Sequence, residues 1–190
     1  MNDHAAPRPS HARDGPRPRG GKYCAQVTSG SLTTGLASPA DHDRIAELTA
    51  GVYVAEGFAS PEYAAQLADV AGRAERATLL VARDDDGRVV GSVALVLSGD
   101  FGEITRSEDE AAFRMLVVDP AAQGRGVGRA LVEACLARAR AAGKRRMVLS
   151  TAPPMTAAHR LYERLGFTRL PDRDWSPAPG IDLMVYSRAL

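Results

Sequence analysis

The stretch "DPAAQGRGVGRAL", residues 119–131, places three glycines and two arginines directly after an apolar run. Glycine is costly in a helix, by roughly 0.5–1 kcal/mol relative to alanine, because it loses more conformational freedom on folding than any other residue. Gly124, Gly126 and Gly128 nevertheless stand at the start of the best amphipathic helix in the chain. These glycines must therefore serve a purpose that outweighs their cost.

The residues on either side of this stretch predict a strand, a helix and a second strand. "AFRMLVV", residues 112–118, is a short apolar run that ends at Asp119-Pro120, and "RRMVLST", residues 145–151, is another. Between them, apolar residues at i, i+4, i+7 and i+8 predict a helix over 126–142 that Gly143 ends; they are Val127, Leu131, Ala134 and Cys135. Such a unit places its two strands parallel and adjacent, with a right-handed crossover.

A glycine-rich turn between a strand and a helix is suited to hold an anion. The first N–H groups of a helix lack intrahelical partners, and the helix dipole adds partial positive charge there. Missing side chains let a phosphate approach these groups. Two nucleotide signatures do not fit, because Arg129 and Ala130 replace the Lys-Ser/Thr of a P-loop and the glycine spacing does not give G-x-G-x-x-G/A.

Residues 123–128 fit a third pattern, Q/R-x-x-G-x-G/A, and two flanking segments extend the match. "RMLVVDP" (114–120) resembles the central strand of the GNAT superfamily of N-acetyltransferases, whose acyl-CoA signature is this pattern. "AAHRLYERLGF" (157–167) resembles the second CoA motif of that superfamily. The three segments occur in the superfamily's order and spacing across residues 112–168. The alternative is a glycine turn that only packs a helix on a strand.

The resemblance implies an α/β (α+β) fold. Its mixed, mostly antiparallel sheet would have six to seven strands, a central parallel pair splayed to admit CoA, and helices on both faces. The other segments agree: a first strand within 23–34, helices opened by Ser38-Pro39 and Ser60-Pro61, a hairpin over 78–97, a short helix ended by Gly166, a strand from Phe167 and a last strand at 182–190.

Composition limits the domain organisation and the partners. With 45% hydrophobic side chains, the 190 residues suffice for one domain, which we place at 22–190. Residues 1–21 contain no Phe, Tyr, Trp, Val, Ile or Leu, so we expect a disordered tail.

A net charge of +1 gives no general attraction to nucleic acid or a membrane, and no apolar run is long enough for a membrane helix. Cys24 and Cys135 form no spacing pattern, which fits a reducing, cytoplasmic compartment.

The resemblance assigns the donor site mainly to backbone groups. It implies that the main chain of Leu116, Val117 and Val118 binds the pantetheine and the acetyl carbonyl, since unpaired groups of splayed strands need partners. It also implies that main-chain amides of the glycine turn hold the pyrophosphate; these belong to Gln123, Gly124, Arg125, Gly126, Val127, Gly128 and Arg129. The side chains of Arg125 and Arg129 either add charge there or face solvent, and that of Val127 is expected in the core.

The second CoA motif supplies the proposed catalytic acid, Tyr162. A phenol has a pKa of about 10, so it can hydrogen-bond or protonate the departing thiolate without being ionised at neutral pH. The structural alternative is a tyrosine that only packs the last helical turn. Ala158 matches the alanine of the same motif and is a predicted cofactor contact.

The chain departs from the family pattern at two positions. Met155 stands where the family often has an asparagine facing the cofactor, so His159 or Arg160 either meets the CoA phosphate or faces water; of these, His159 is our predicted contact. Ala112 lies close to the place of a frequent catalytic glutamate. We assign the base to Glu110, with Asp109, Glu103, a water relay from backbone carbonyls, or a merely solvated acidic loop as alternatives.

The resulting functional expectation is acetyl transfer from acetyl-CoA to a primary amine of a small molecule or peptide. The amine attacks directly, without a covalent enzyme intermediate or a metal, and His4, His11, His42 and His159 lack ligand spacing. The candidate acceptor-pocket residues are Tyr53, Glu56, Phe58, Tyr63, Asp174 and Trp175. A non-catalytic acyl-CoA-binding or sensing module is the alternative, and the sequence leaves a homodimer open.

Overall fold

The computed structural model describes residues 32–55, 67–99, 104–178 and 180–190. The predicted tail at 1–21, most of the predicted strand at 23–34 and the predicted helix start at Ser60-Pro61 lie outside these residues.

The helices whose bounds lie within the described residues are α1 (His42–Ala55), α2 (Val70–Arg76), α3 (Val127–Ala141) and α4 (Thr156–Arg164). The strands are β1 (Thr33–Leu36), β2 (Thr78–Arg83), β3 (Val89–Val96), β4 (Glu110–Val118), β5 (Arg146–Thr151), β6 (Thr168–Arg169), β7 (Trp175–Ala178) and β8 (Ile181–Ala189). Short 3-10 segments stand at Pro39–Asp41, Pro120–Ala122 and Pro171–Arg173.

The described strands form one mixed sheet in the order β1-β2-β3-β4-β5-β8-β6, and β7 also pairs with β8. β4 and β5 run parallel, whereas the other described pairs are antiparallel. The predicted fold class is therefore confirmed. The sheet has one strand more than predicted, because no strand was predicted at Trp175–Ala178, where β7 lies. Pro177 hides the strand pattern there, since proline is tolerated in a sheet only at edges and irregular pairings.

Helices cover both faces of the sheet, as predicted. α1 and α2 pack on one face, where their core residues Ile45, Leu48 and Val70 meet Leu79, Val81, Ala94 and Val117. α3 and α4 pack on the opposite face, where Leu131, Cys135 and Tyr162 meet Leu80, Leu95 and Phe113. Leu79 and Leu80 belong to different clusters because successive strand residues point to opposite faces.

Local signals in the sequence set several element boundaries. Ser38 and Asp41 form a capping box, in which the Ser38 N–H donates to Asp41 Oδ2 at 2.7 Å, and Pro39 opens the 3-10 segment that leads into α1. The strand predicted at 112–118 begins earlier, at Glu110, because Glu110 and Ala111 pair with Arg146 and Met147.

The feature that positions the functional site is the separation of β4 from β5. Their parallel pairing ends at Ala112 and Val148, although β4 continues to Val118 and β5 to Thr151. A bulge follows at once on the other edge of β4, because Ser92 pairs with Val117 while Ala94 pairs with Arg114. Met115, in this bulge, has a φ of 52°, a left-handed conformation that is costly for a non-glycine residue. The bulge bends β4 away from β5 and opens the sheet.

Candidate active site

A cleft of about 660 Å³ occupies the opening between β4 and β5. Its walls come from α1, the second half of β4, the glycine turn, the end of β5 and α4. Because Leu116, Val117 and Val118 of β4 have no strand partner on the β5 side among the described pairs, their backbone groups on that edge are available to a ligand. An extended chain with amide groups could pair with this edge as an added strand does.

The glycine turn closes one end of the cleft. Gly124 and Gly126 have φ values of 76° and 84°, which L side chains rarely adopt, so glycine is required by the backbone at both positions. Gly128 serves packing instead, because a Cβ there would lie 3.1 Å from Leu161 Cδ2 and 3.6 Å from Val118 Cγ2. The three glycines thus shape the turn and let α3 approach α4 and β4 closely.

Gly126 is the N-cap of α3 and leaves the helix end open to a ligand. Among the described residues, no side chain caps this end, and the N–H groups of Gly126, Val127, Gly128 and Arg129 have no backbone acceptor. Four N–H groups at a helix N-terminus, facing a cleft, form a suitable cradle for a phosphate.

Asp119 holds the start of this turn in place. Its carboxylate accepts a hydrogen bond from the Ala121 N–H at 2.9 Å and forms an ion pair with Arg44 of α1. The Arg44 Nε also donates to the Val89 carbonyl at 3.3 Å. Since Asp119 is only 8% exposed, this pair links α1 to the loop that leads into the cradle.

Tyr162 lines the cleft on the α4 side. Its ring centroid lies 5.8 Å from that of Phe113, 6.0 Å from Phe167 and 6.2 Å from Tyr186, so three aromatic rings fix its position. Burial raises the pKa of the Tyr162 hydroxyl above its ordinary value, and Tyr53 and Cys135 raise it further. The phenol is therefore protonated at neutral pH and can act as a hydrogen-bond donor.

The structure brings most of the predicted donor-site residues into this one cleft. Those that line it are Leu116, Val117, Val118, Gln123, Gly124, Gly126, Val127, Gly128, Arg129, Ala158 and Tyr162. Arg125, His159 and Glu110 do not line it. The side chain of Val127 is buried beneath the sheet, as expected, while Arg129 is exposed and its Nε lies 2.8 Å from Glu133 Oε1.

His159 has contacts that hold it away from the cleft. Its Nε2 lies 3.1 Å from the Ala152 carbonyl oxygen, and its ring lies 5.7 Å from the ring of Tyr186. These contacts favour a role in joining α4 to the end of β5 and to β8 over the predicted phosphate contact.

Glu110 is also engaged elsewhere, at the start of β4. Its carboxylate accepts two hydrogen bonds from Arg173, at 2.7 and 2.9 Å, and a third from the Arg106 N–H at 2.9 Å. Burial raises the pKa of Glu110, but the hydrogen bonds from Arg173 and Arg106 and the charges of Arg173 and Arg146 outweigh burial and leave the pKa below its ordinary value. These contacts favour a structural role for Glu110 over that of a general base.

A Glu110→Gln variant should therefore lose stability and keep its activity. Removing one partner of a buried ion pair leaves Arg173 uncompensated and should lower the free energy of unfolding by about 3 kcal/mol at pH 7, while kcat stays within about threefold of wild type. Because folding lowers the pKa of Glu110, the wild type should exceed the variant in stability by the full amount above about pH 5. This difference should shrink as the pH falls through the pKa that Glu110 has in the folded protein. Chemical denaturation over pH 3–7 and steady-state kinetics measure both effects.

The exposed neighbour Glu108 provides the control, because Glu108→Gln removes the same charge from the loop just before β4. We expect it to change stability by less than about 0.5 kcal/mol. A fall of 100-fold or more in kcat for Glu110→Gln, with stability unchanged, would instead identify Glu110 as the base.

The predicted acceptor residues are only partly described. Tyr53 lines the cleft, together with its neighbour Val52. Asp174 is bound by Arg169, with both distances at 2.7 Å, and Trp175 belongs to β7 beside the core. Glu56, Phe58, Tyr63 and Glu103 lie outside the described residues.

Sequence reasoning missed two residues of β4 that shape the cleft. Met115 carries the bulge, and nothing in the apolar run announces a left-handed residue there. Arg114 lines the cleft one position earlier. A signal existed for Arg114, since it is the single charged residue inside "AFRMLVV", but the run was interpreted only as a buried strand.

No helix in the described part of the chain is long and apolar enough to cross a bilayer. Likewise, no three of its His, Cys, Asp or Glu side chains lie together as a metal site requires.

Residues 43–167 match the model of the acetyltransferase (GNAT) family. Because the match covers more than half of the chain, this chain belongs to the GNAT family of acetyltransferases. The resemblance drawn from the three sequence segments is thereby confirmed.

Solved structures show the same fold. A GCN5-related N-acetyltransferase from Kribbella flavida has a TM-score of 0.65 at 24% identity, over 84% of this chain and 98% of that one. The structure of yncA from Salmonella typhimurium, which includes its cofactor acetyl-CoA, has a TM-score of 0.61 at 25% identity, over 84% and 94% of the two chains.

Curated relatives match over shorter stretches. Mycothiol acetyltransferase from Geodermatophilus obscurus is 51% identical over 55 residues, which is 29% of this chain and 18% of that protein. The enzyme of the same name from Cellulomonas flavigena is 34% identical over 108 residues, or 52% and 31% of the two proteins. The matched part of this chain thus spans less than a third of these relatives.

Proposed function

We propose that this protein transfers an acetyl group from acetyl-CoA to a primary amine by direct attack. The observation that carries the proposal is the convergence of three features on one cleft. These are the unpaired edge of β4, the open N-terminus of α3 at the glycine turn, and the buried hydroxyl of Tyr162.

The cleft fits the donor along its length. The pyrophosphate would accept hydrogen bonds from the N–H groups of the glycine turn, where the dipole of the 15-residue α3 adds to the attraction. The amides of the pantetheine arm would pair with the backbone of Leu116, Val117 and Val118. The thioester then lies near the bulge, within the part of the cleft that Tyr162 lines.

The chemical step exchanges one bond for another. The neutral amine attacks the thioester carbonyl carbon, a C–N bond forms, the C–S bond breaks, and the sulfur leaves with the bonding electrons. The amine nitrogen gives up one proton as the amide forms, and water carries this proton to the CoA thiolate, so that the products are the amide and free CoA. Tyr162 donates its hydrogen bond to this sulfur as negative charge develops. Because an ordinary thiol has a pKa of about 8.5, below that of the buried phenol, hydrogen-bond stabilisation is favoured over a complete transfer of the Tyr162 proton.

Among the described residues, the one cysteine, Cys135, argues against an acyl-enzyme route through a thiol. It belongs to α3 and is fully buried in the core, and burial raises its pKa to about 12, while the weaker effect of Arg138 opposes the rise. A thiol must be ionised and accessible to carry an acyl group. Cys135 is neither.

Turnover with a panel of amines tests the proposal. The panel includes amino acids, polyamines, aminoglycosides, peptide amines and, because of the relatives named above, mycothiol that lacks its acetyl group. We expect release of free CoA that depends on one of these amines, with the acetylated amine identified by mass spectrometry. Binding of acetyl-CoA without amine-dependent release would contradict catalysis and support the acyl-CoA sensor.

A further inference from the structure

The charged side chains in the described walls of the cleft are all positive. They include three arginines, Arg114, Arg129 and Arg164, and among the described lining residues there is no Asp, Glu or His. Arg129 belongs to the first turn of α3 and Arg164 to the end of α4, so both lie with the helices of one face. Arg114 differs from them, because it lies on β4 itself.

The pairing of β4 places the Arg114 side chain on the α1 face. Arg114 stands directly opposite Ala94 of β3, and residues directly opposite in an antiparallel pair point to the same face of the sheet. Ala94 packs in the core beneath α1 and α2. Val52 and Tyr53 of α1 line the cleft on this same side.

Arg114 also stands at the closed end of the opening. It lies two residues beyond Ala112, the last β4 residue paired with β5. A donor held at the N-terminus of α3 and beside Tyr162 of α4 would enter the opening from the opposite face, where these two helices pack. An acceptor that approaches the thioester from the α1 face must therefore pass Arg114.

We propose that the acceptor is an amine that also carries a carboxylate, such as an amino acid, and that Arg114 binds this carboxylate. This inference rests on the proposed acetyl transfer. The guanidinium forms two parallel hydrogen bonds to a carboxylate, and its five N–H donors allow it to keep its interaction within the protein at the same time. The same positive charge disfavours polyamines and aminoglycosides at this face.

Matched acceptors test the proposal. Each amino acid of a panel is compared with its own carboxamide in the wild type and in Arg114→Gln, so that differences in the intrinsic reactivity of the two amines cancel. The wild type should prefer the carboxylate by about 10–100-fold in kcat/KM, the scale of hydrogen bonds to charged groups. In Arg114→Gln this preference should fall to within about threefold, with the Kd of acetyl-CoA unchanged in calorimetry.

Two further variants separate charge from geometry. Arg114→Lys keeps the charge without the planar fork and should retain only part of the preference. Arg140→Gln removes one charge from the exposed last turn of α3, outside the cleft, and should retain all of it.

The outcomes distinguish this inference from the function on which it rests. If carboxamides or polyamines are acetylated as well as amino acids, or if Arg114→Gln keeps the preference, acetyl transfer stands and the inference is overturned. If no amine in the panel is acetylated although acetyl-CoA binds, the proposed function fails, and the inference fails with it.

Discussion

The Tyr162→Phe variant should bind acetyl-CoA as tightly as the wild type and acetylate its acceptor about 10²–10⁴-fold more slowly. That range covers the usual loss when a group that donates a proton or a hydrogen bond to the charge developing in the transition state is removed. The hydroxyl acts mainly as negative charge develops on sulfur, so kcat and kcat/KM should fall together. The ring keeps its contacts with Phe113, Phe167 and Tyr186, and the fold should therefore persist.

Tyr186→Phe is the matched control. It removes the same atom from a buried neighbour that does not line the cleft. We expect turnover within about twofold of wild type. Single-turnover measurements are needed for both variants, because slow product release would hide part of the loss in kcat. A chemical step in Tyr162→Phe within a few-fold of wild type would show that Tyr162 is structural.

Gly126→Asp should weaken acetyl-CoA binding by about 100-fold or more. Two unit charges 4 Å apart repel by about 4 kcal/mol at an effective dielectric of 20, and solvent at the exposed turn reduces this value. The new side chain itself has room, since a Cβ at Gly126 would meet nothing within 4 Å. The backbone φ of 84° adds a cost of roughly 1 kcal/mol to folding for any non-glycine residue.

Gly126→Asn separates these two effects, because asparagine has the same shape and tolerates a left-handed φ about as well as aspartate. Both variants should show the same drop in Tm, and asparagine should weaken binding by no more than about tenfold. Calorimetry on the folded variants gives both Kd values. Equal affinities for Asp and Asn would mean that no negative charge of the ligand lies at this turn.

Local signals explain why the sequence predicted the fold and most of the cleft. The capping box at Ser38, the hairpin around Gly87 and the strand-turn-helix unit at 112–142 all depend on residues close together in the chain. The glycine turn was predictable for the same reason. The sequence could not show which role each glycine has, because a glycine required by a positive φ, such as Gly126, and one required by tight packing, such as Gly128, are the same letter in a sequence.

Contacts between distant residues explain what the sequence did not predict. Glu110 is held by Arg173, 63 residues away, and no pattern near Glu110 reveals this partner. The bulge at Met115 arises from the register of β3 against β4, which apolar residues on both strands leave undetermined. β7 is a short edge strand that exists only because β8 pairs with it.

A crystal structure of the complex with acetyl-CoA tests the account most directly. We expect the pantetheine arm between β4 and β5, with hydrogen bonds to the backbone of Leu116, Val117 or Val118. The pyrophosphate should lie within hydrogen-bond distance of the N–H groups of Gly126 to Arg129, and the sulfur should face the Tyr162 hydroxyl. Acetyl-CoA bound outside this opening, or with its pyrophosphate away from the N-terminus of α3, would contradict the account.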